Sequence, residues 1–324
     1  MIIHGQERPI VNSSATPLGR RTALALGAGA ALAVAGTPSA YAADGTGARV
    51  RPRTGATGTD ITRALGELER EHSARLGVYA RNTVTGVTVR YRADETFPIC
   101  SVFKTLAAAA VLRDLDRRGE YLALRVRYTE KDVKDSGYGP VTGKAENLAH
   151  GMTVAELCHA AMAFSDNAAA NLLLRELGGP TAITRFCRSL GDRTTRLDRW
   201  EPALNSAEPW RTTDVTSPAA VGRTYAKLAL GDALTRRDRD RLTGWLLANT
   251  TSGARFRLGL PADWALGDKT GTGEYGTTND VGIAWTPQGA PVVLSVLSTR
   301  PEPKAPKDEP LVAKTAALLA RALA

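Results

Sequence analysis

The order of apolar and polar positions divides the chain into three stretches. Residues 23–36 hold only Ala, Leu, Val and Gly, whereas residues 43–58 are rich in Gly, Thr, Ala and Arg and almost lack large apolar side chains. The second composition suits a flexible leader. Periodic patterning starts near Asp60 and runs to the C-terminus, so residues 59–324 are read as one folded domain. Asp60 caps a stretch that places Ile61, Leu65 and Leu68 on one helical face. Residues 78–83 and 87–91 follow as a strand pair joined through Thr85-Gly86.

The middle of the chain is helical in its spacing, over 101–115, 153–164, 167–177, 181–190 and 217–230. Thr153-Val154-Ala155-Glu156 has the form of a capping box. Strands return at 264–269, 281–285 and 292–298, and a last amphipathic helix runs from Leu311 to the end. Elements from both termini would pack together, with the helical middle inserted between them. The expected fold is therefore α+β and two-lobed: an antiparallel sheet with the terminal helices, plus an all-α lobe. There is no internal repeat.

Composition supports a sizeable core, since 43% of the 324 residues are hydrophobic and 23% charged. The net charge is +9, but acidic residues are interspersed and no block of five or six basic residues occurs. A nucleic-acid footprint is excluded on that pattern. Cys100, Cys158 and Cys187 lack CxxC spacing and no HExxH occurs, so neither a disulfide framework, a metal site nor a cofactor is expected. Cys158 and His159, the one adjacent pair of potential ligands, fall on a helix expected to be buried.

The N-terminal apolar run is preceded by Arg20-Arg21 and followed by Ala40-Tyr41-Ala42, the order of an export signal with a small-residue cleavage site. Its 14 residues are short of the roughly 20 that cross a bilayer. The paired arginines point to the twin-arginine route, with an ordinary secretory signal as the alternative. Residues 1–42 are expected to be removed and the remainder secreted, without membrane association.

Ser101-Val102-Phe103-Lys104 opens a helix, and its spacing sets the lysine one turn above the serine. Serine needs a base to become a nucleophile, and a helix N-terminus favours a developing anion. A capping serine and a surface lysine would read the same way. Ser165-Asp166-Asn167 stands at a helix junction and Lys269-Thr270-Gly271 on a late strand, each of which alone reads as a cap or a turn. All three in this order resemble the serine β-lactamases and penicillin-binding proteins. A fourth element, Glu201-Pro202-Ala203-Leu204-Asn205, lies in a long aperiodic stretch between Leu197 and Ser217. It narrows the resemblance to class A β-lactamases, from about residue 60 to the end.

That resemblance implies hydrolysis of the β-lactam ring of penicillin- and cephalosporin-type antibiotics through an acyl-serine, and hence antibiotic resistance. It makes Ser101 the nucleophile, and either Lys104 or a water held by Glu201 and Asn205 the acylation base. Ser165 relays a proton to the lactam nitrogen, and Asn167 holds the substrate amide and the Lys104 amine. Backbone N–H groups of Ser101 and Thr272 form the oxyanion hole. Lys269, Thr270, Gly271 and Thr272 receive the substrate carboxylate. Arg255 stands behind it, as in relatives from high-GC Gram-positive bacteria.

Tyr138 resembles an aromatic at the cleft rim, with plain packing as the alternative. Arg199 and Asp214 resemble an ion pair at the neck of the catalytic loop, and a cis Glu201–Pro202 bond is implied. Two bridges found in relatives lack a partner here, because Ala108 faces the position of Cys158 and Gly273 that of Cys100. Free buried thiols are expected at Cys100 and Cys158, and carbapenem hydrolysis gains no support. Two rival readings are a D,D-peptidase, which would not need Glu201 and Asn205, and a β-lactam receptor domain that stays acylated. The expected partner is a small β-lactam, acted on by a monomer.

Overall fold

A computed structural model describes residues 58–324 of the chain. The export segment and the leader up to residue 57 lie outside the described residues, while Gly58, counted above with the leader, opens the first helix.

The helix Gly58–Glu71 turns its apolar stripe inward, with Leu65 buried, Ile61 nearly so and Leu68 packed against them. Five antiparallel strands form the sheet, in the order Thr88–Tyr91, Arg75–Asn82, Pro291–Thr299, Thr278–Trp285, Ala265–Thr272. The central strands are buried almost without interruption rather than alternately, because both faces are covered. The N-terminal helix and the C-terminal helix Glu309–Leu323 cover one face, and Pro218–Ala229 lies against the other.

The all-α lobe surrounds the helix Phe103–Ala110, whose every residue is buried. Its alanines, Ala107 to Ala110, leave room for Val154–Ala163, Asn167–Glu176 and Thr181–Ser189 to approach closely. Thr153 and Glu156 form the expected capping box. The expected α+β, two-lobed arrangement is the one observed.

The single helix expected over 101–115 is three pieces: a 3₁₀ turn Cys100–Val102, the α-helix Phe103–Ala110 and a π turn Val111–Leu115. Cys100 enters with a positive φ of 45°, a tight start that periodicity does not register. At the other end Asp116 N–H donates to Val111 O, five residues back. The late strands also run further than their apolar cores. Thr270, Gly271 and Thr272 consequently belong to the edge strand Ala265–Thr272 rather than to a turn.

Four helices had no sequence signal: Glu130–Ser136, Ala145–His150, Arg236–Leu247 and Phe256–Gly259. In Arg236–Leu247 only Asp238, Leu242 and Leu246 are buried, a stripe one residue wide in an otherwise charged segment. Thr235 caps it through Asp238 N–H. Cys100 and Cys158 are free and buried as expected, Cys187 is as well, and burial pushes each thiol above its usual range. Cys158 and His159 do not share a buried face. His159 is exposed and meets the Phe164 ring edge-on at 5.7 Å.

Candidate active site

Where the two lobes meet, the 3₁₀ turn carrying Ser101 abuts the edge strand. A Cβ on Gly271 would come within 3.2 Å of Cys100 Cβ, Ile99 O and Val102 Cγ2. Only glycine permits this approach without displacing the Ser101 turn. Asn279, on the neighbouring strand, donates from Nδ2 to Pro98 O at 2.8 Å, and Tyr225 Oη donates to Val102 O at 2.9 Å. These two side chains pin the turn from both sides, and the sequence reading named neither.

Ser101 Oγ donates to Glu201 Oε1 at 3.2 Å, and Lys104 Nζ lies 3.2 Å from the same oxygen. The serine and lysine thus meet on a shared carboxylate, rather than simply stacking as neighbouring turns of one helix. Lys104 Nζ also donates to Asn167 Oδ1 at 2.6 Å and to Ser165 O at 2.7 Å, with Ser165 Oγ at 3.3 Å. Burial pulls this amine below the ordinary lysine value, while the Glu201 charge works in the opposite direction. The acceptors around it are those that hold an ammonium.

Ser165 has φ 56°, and its hydroxyl also receives a hydrogen bond from Lys269 Nζ at 3.0 Å. It therefore stands between two amines. Burial, followed by the charges of Lys104 and Arg255, holds Lys269 well below the usual lysine range. Asp166 accepts from Val141 N, Thr142 N, Thr142 Oγ1 and, as helix cap, Ala169 N, all within 3.0 Å. Those bonds fix the 139–143 turn against the lobe. Asn167 N donates to Tyr138 O at 2.8 Å, which leaves the Tyr138 ring half exposed beside the cleft.

Glu201 sits in the loop following Arg199, in a cis bond to Pro202. Its backbone is gripped by Asn171, whose Oδ1 accepts from Glu201 N at 3.0 Å and whose Nδ2 donates to Glu201 O at 2.9 Å. Asn171 also escaped the sequence reading. The available signal was its i, i+4 spacing from Asn167, which sets both amides on one helix face. Asn205 Nδ2 donates to Glu201 Oε2, and Asn205 Oδ1 is buried with no protein partner. At the neck, Asp214 accepts from Asp198 N and Arg199 N and pairs with Arg199 Nε at 2.5 Å.

On the edge strand, Lys269, which reaches Ser165, and Gly271, which abuts the Ser101 turn, share one face, while Thr270 and Thr272 face the other side with Arg255. Arg255 is buried. It donates to Gly271 O, Asn279 O and Thr272 Oγ1 within 2.9 Å and reaches Glu309 Oε1 at 3.4 Å. Thr270 Oγ1 meets Thr251 Oγ1 at 2.5 Å. The structure brings all twelve sequence-predicted residues into one cleft or its rim. Among the described residues no group of three or more His, Cys, Asp or Glu could hold a metal ion.

A buried hydroxyl on a carboxylate, flanked by two amines and a second hydroxyl, defines a serine acyl-transfer site. Residues 60–323 match the profile of the β-lactamase enzyme family. The chain is 72% identical over 264 residues to a β-lactamase of Streptomyces lavendulae, covering 82% of this chain and 87% of that one. It is 64% identical over 284 residues to a β-lactamase of Streptomyces fradiae, covering 88% and 89%. The solved β-lactamase from Streptomyces albus G superposes with a TM-score of 0.81 at 64% identity, covering 82% of this chain and all of that one. The chain belongs to the β-lactamase enzyme family, as a class A enzyme of the high-GC Gram-positive type. It hydrolyses β-lactams, and the rival readings as a D,D-peptidase or receptor domain are not favoured.

Proposed function

We propose that Ser101 attacks the lactam carbonyl and that Glu201 is the base in both halves of the cycle. The observation that carries this is the convergence of Ser101 Oγ and Lys104 Nζ on Glu201 Oε1. Lys104, surrounded by acceptors, acts as a cation beside the reacting centre and links Ser101 to Ser165. Opening the ring breaks the carbonyl carbon–nitrogen bond, and the nitrogen takes its proton from Ser165, which Lys104 and Lys269 both contact. Backbone N–H groups of Ser101 and Thr272, on the two sides of the close approach at Gly271, receive the carbonyl oxygen. Each such donor is typically worth about 3 kcal/mol of barrier.

Lys269, Thr270, Thr272 and Arg255 anchor the substrate carboxylate, and Asn167 and Tyr138 border its side chain. For deacylation, a water donating to the unpartnered Asn205 Oδ1 would also reach Glu201, to which Asn205 is bonded. Mixing the enzyme with benzylpenicillin should give many turnovers per chain with a transient adduct on Ser101 in mass spectra. Ser101→Ala should abolish both. A Ser101→Ala variant that still turns over, or an adduct elsewhere, would overturn the assignment.

The chain further acts as a secreted monomer, with residues 1–42 removed as a twin-arginine signal. Arg20-Arg21, the short apolar run and Ala40-Tyr41-Ala42 support this. Intact-mass measurement of exported protein should give a chain beginning near Ala43. A mass that retains Arg20 and Arg21 would refute it.

A further inference from the structure

Away from the catalytic cleft, a cavity of about 250 Å³ opens between the helix Pro218–Ala229 and the turn at 190–194, and none of its lining residues belongs to the cleft. Arg223 and Lys227 enter it from the helix, and Arg193 from the turn. Arg223 and Lys227 are four residues apart and so share one helix face, where like charges repel. Three cations gathered on one cavity destabilise it unless negative charge offsets them.

Two acids border the cavity, and both are engaged with other groups. Asp94 pairs with Arg90 at 2.5 Å. Asp192 is buried, and four donors satisfy it: Thr194 N and Thr195 N at 2.9 Å on one oxygen, Thr195 Oγ1 at 2.5 Å and Thr224 Oγ1 at 3.1 Å on the other. A further arginine, Arg188, donates to Asp192 O and Thr195 O. Among the described residues, Arg193, Arg223 and Lys227 form no ion pair. Neutral groups hold two of them in place. Lys227 Nζ donates to Leu190 O at 2.5 Å, and the Arg223 guanidinium lies over the Tyr79 ring, 5.5 Å from its centroid. The buried Ser217 hydroxyl, also on the cavity wall, accepts from Ala220 N at 3.2 Å and keeps its own proton to donate.

We propose that this cavity is a binding site for a phosphate group, carried either as the free ion or as a small phosphate ester. Two guanidinium forks and an ammonium match a dianionic tetrahedral oxyanion, whereas a single carboxylate would leave cations unpaired. The volume equals about eight waters at roughly 30 Å³ each, so a phosphate carrying a small organic group also fits. The bound group bridges the turn to the helix, alongside the existing Lys227–Leu190 and Thr224–Asp192 hydrogen bonds. Its partners come together only in the folded chain, so binding stabilises the fold.

Calorimetric titration at constant ionic strength, with inorganic phosphate and with glycerol 3-phosphate as probes, should give one site per chain. Replacing both arginines, Arg193→Ala with Arg223→Ala, should weaken binding by about tenfold or more, because the charge-assisted hydrogen bonds are lost. Lys227→Gln, which can still donate to Leu190 O, should weaken it as well. In the unmodified enzyme Tm should rise by about 3–6 °C with the probe at about ten times its Kd, and the double variant should lose that rise. In the double variant kcat/KM for benzylpenicillin should stay within about twofold, since neither arginine borders the cleft.

The catalytic cleft holds cations of its own, Lys269 and Arg255, and turnover separates the two places. An anion in the cavity leaves KM unchanged, whereas one in the cleft competes with substrate. Tighter binding of glycerol 3-phosphate assigns the cavity to phosphate esters, and tighter binding of inorganic phosphate assigns it to the free ion; either supports the proposal. Three results would overturn it: no more heat than chloride gives at the same ionic strength, equal affinity in the double variant, or binding that survives in the double variant and is lost in Arg255→Ala.

Discussion

Glu201→Ala should convert the enzyme into a stoichiometric trap, with the penicilloyl adduct persisting on Ser101. Deacylation needs a water deprotonated by a positioned base, and the loop offers no other carboxylate in contact with Ser101 and Asn205. General-base catalysis contributes roughly 10²- to 10⁴-fold, and deacylation should slow by that order. Acylation should suffer less. Removing Glu201 takes away a charge that holds the Lys104 amine protonated, so burial would shift that amine further toward the neutral form that can accept the Ser101 proton. The strained lactam also opens more readily than the acyl ester hydrolyses. Rapid-quench mass spectrometry reads the two steps separately. An adduct that clears at the unmutated rate would remove Glu201 from the deacylation step.

Asp166→Ala should be the most damaging of the simple truncations for stability. The carboxylate caps Asn167–Glu176 through Ala169 N–H and holds Val141 N, Thr142 N and Thr142 Oγ1. A lost cap costs about 1 kcal/mol, and buried donors left without a partner cost about 1–3 kcal/mol each before water relieves them. A total loss of about 4 kcal/mol lowers Tm by roughly 8–16 °C in a domain of this size. Activity should fall as well, since the freed 139–143 turn adjoins Tyr138 and the slackened cap carries Asn167, an acceptor for Lys104. Calorimetry with a Tm within 2 °C of the parent would contradict this account.

The motifs were legible because this reaction needs particular residue types a short distance apart in sequence. Ser101 and Lys104, Ser165 and Asn167, Lys269 and Thr272, and Glu201 and Asn205 each occupy one turn or one strand end, so each pair could be read locally. The expected Arg199–Asp214 pair and the cis Glu201–Pro202 bond are also present. The helix Arg236–Leu247 was hidden by its charge, because a narrow buried stripe leaves no apolar periodicity to detect. The edge strand was read short because Thr270, Gly271 and Thr272 carry no large apolar side chain, although ladder hydrogen bonds extend through them.

By itself the sequence determined the order of most elements, the α+β class, the family and the residues that the structure gathers in one site. The elements and class follow from local periodicity, and the family and site from the resemblance that the motifs carry. What only the tertiary structure decided is how groups distant in the chain share atoms: Ser101 and Lys104 meeting on Glu201 Oε1, Asn171 gripping the Glu201 backbone, and Asn279 pinning the Ser101 turn. Asn and Asp are as common in solvated turns as in buried networks, so their identity alone carries no such information. It is burial, which removes water as an alternative partner, that obliges these side chains to satisfy one another.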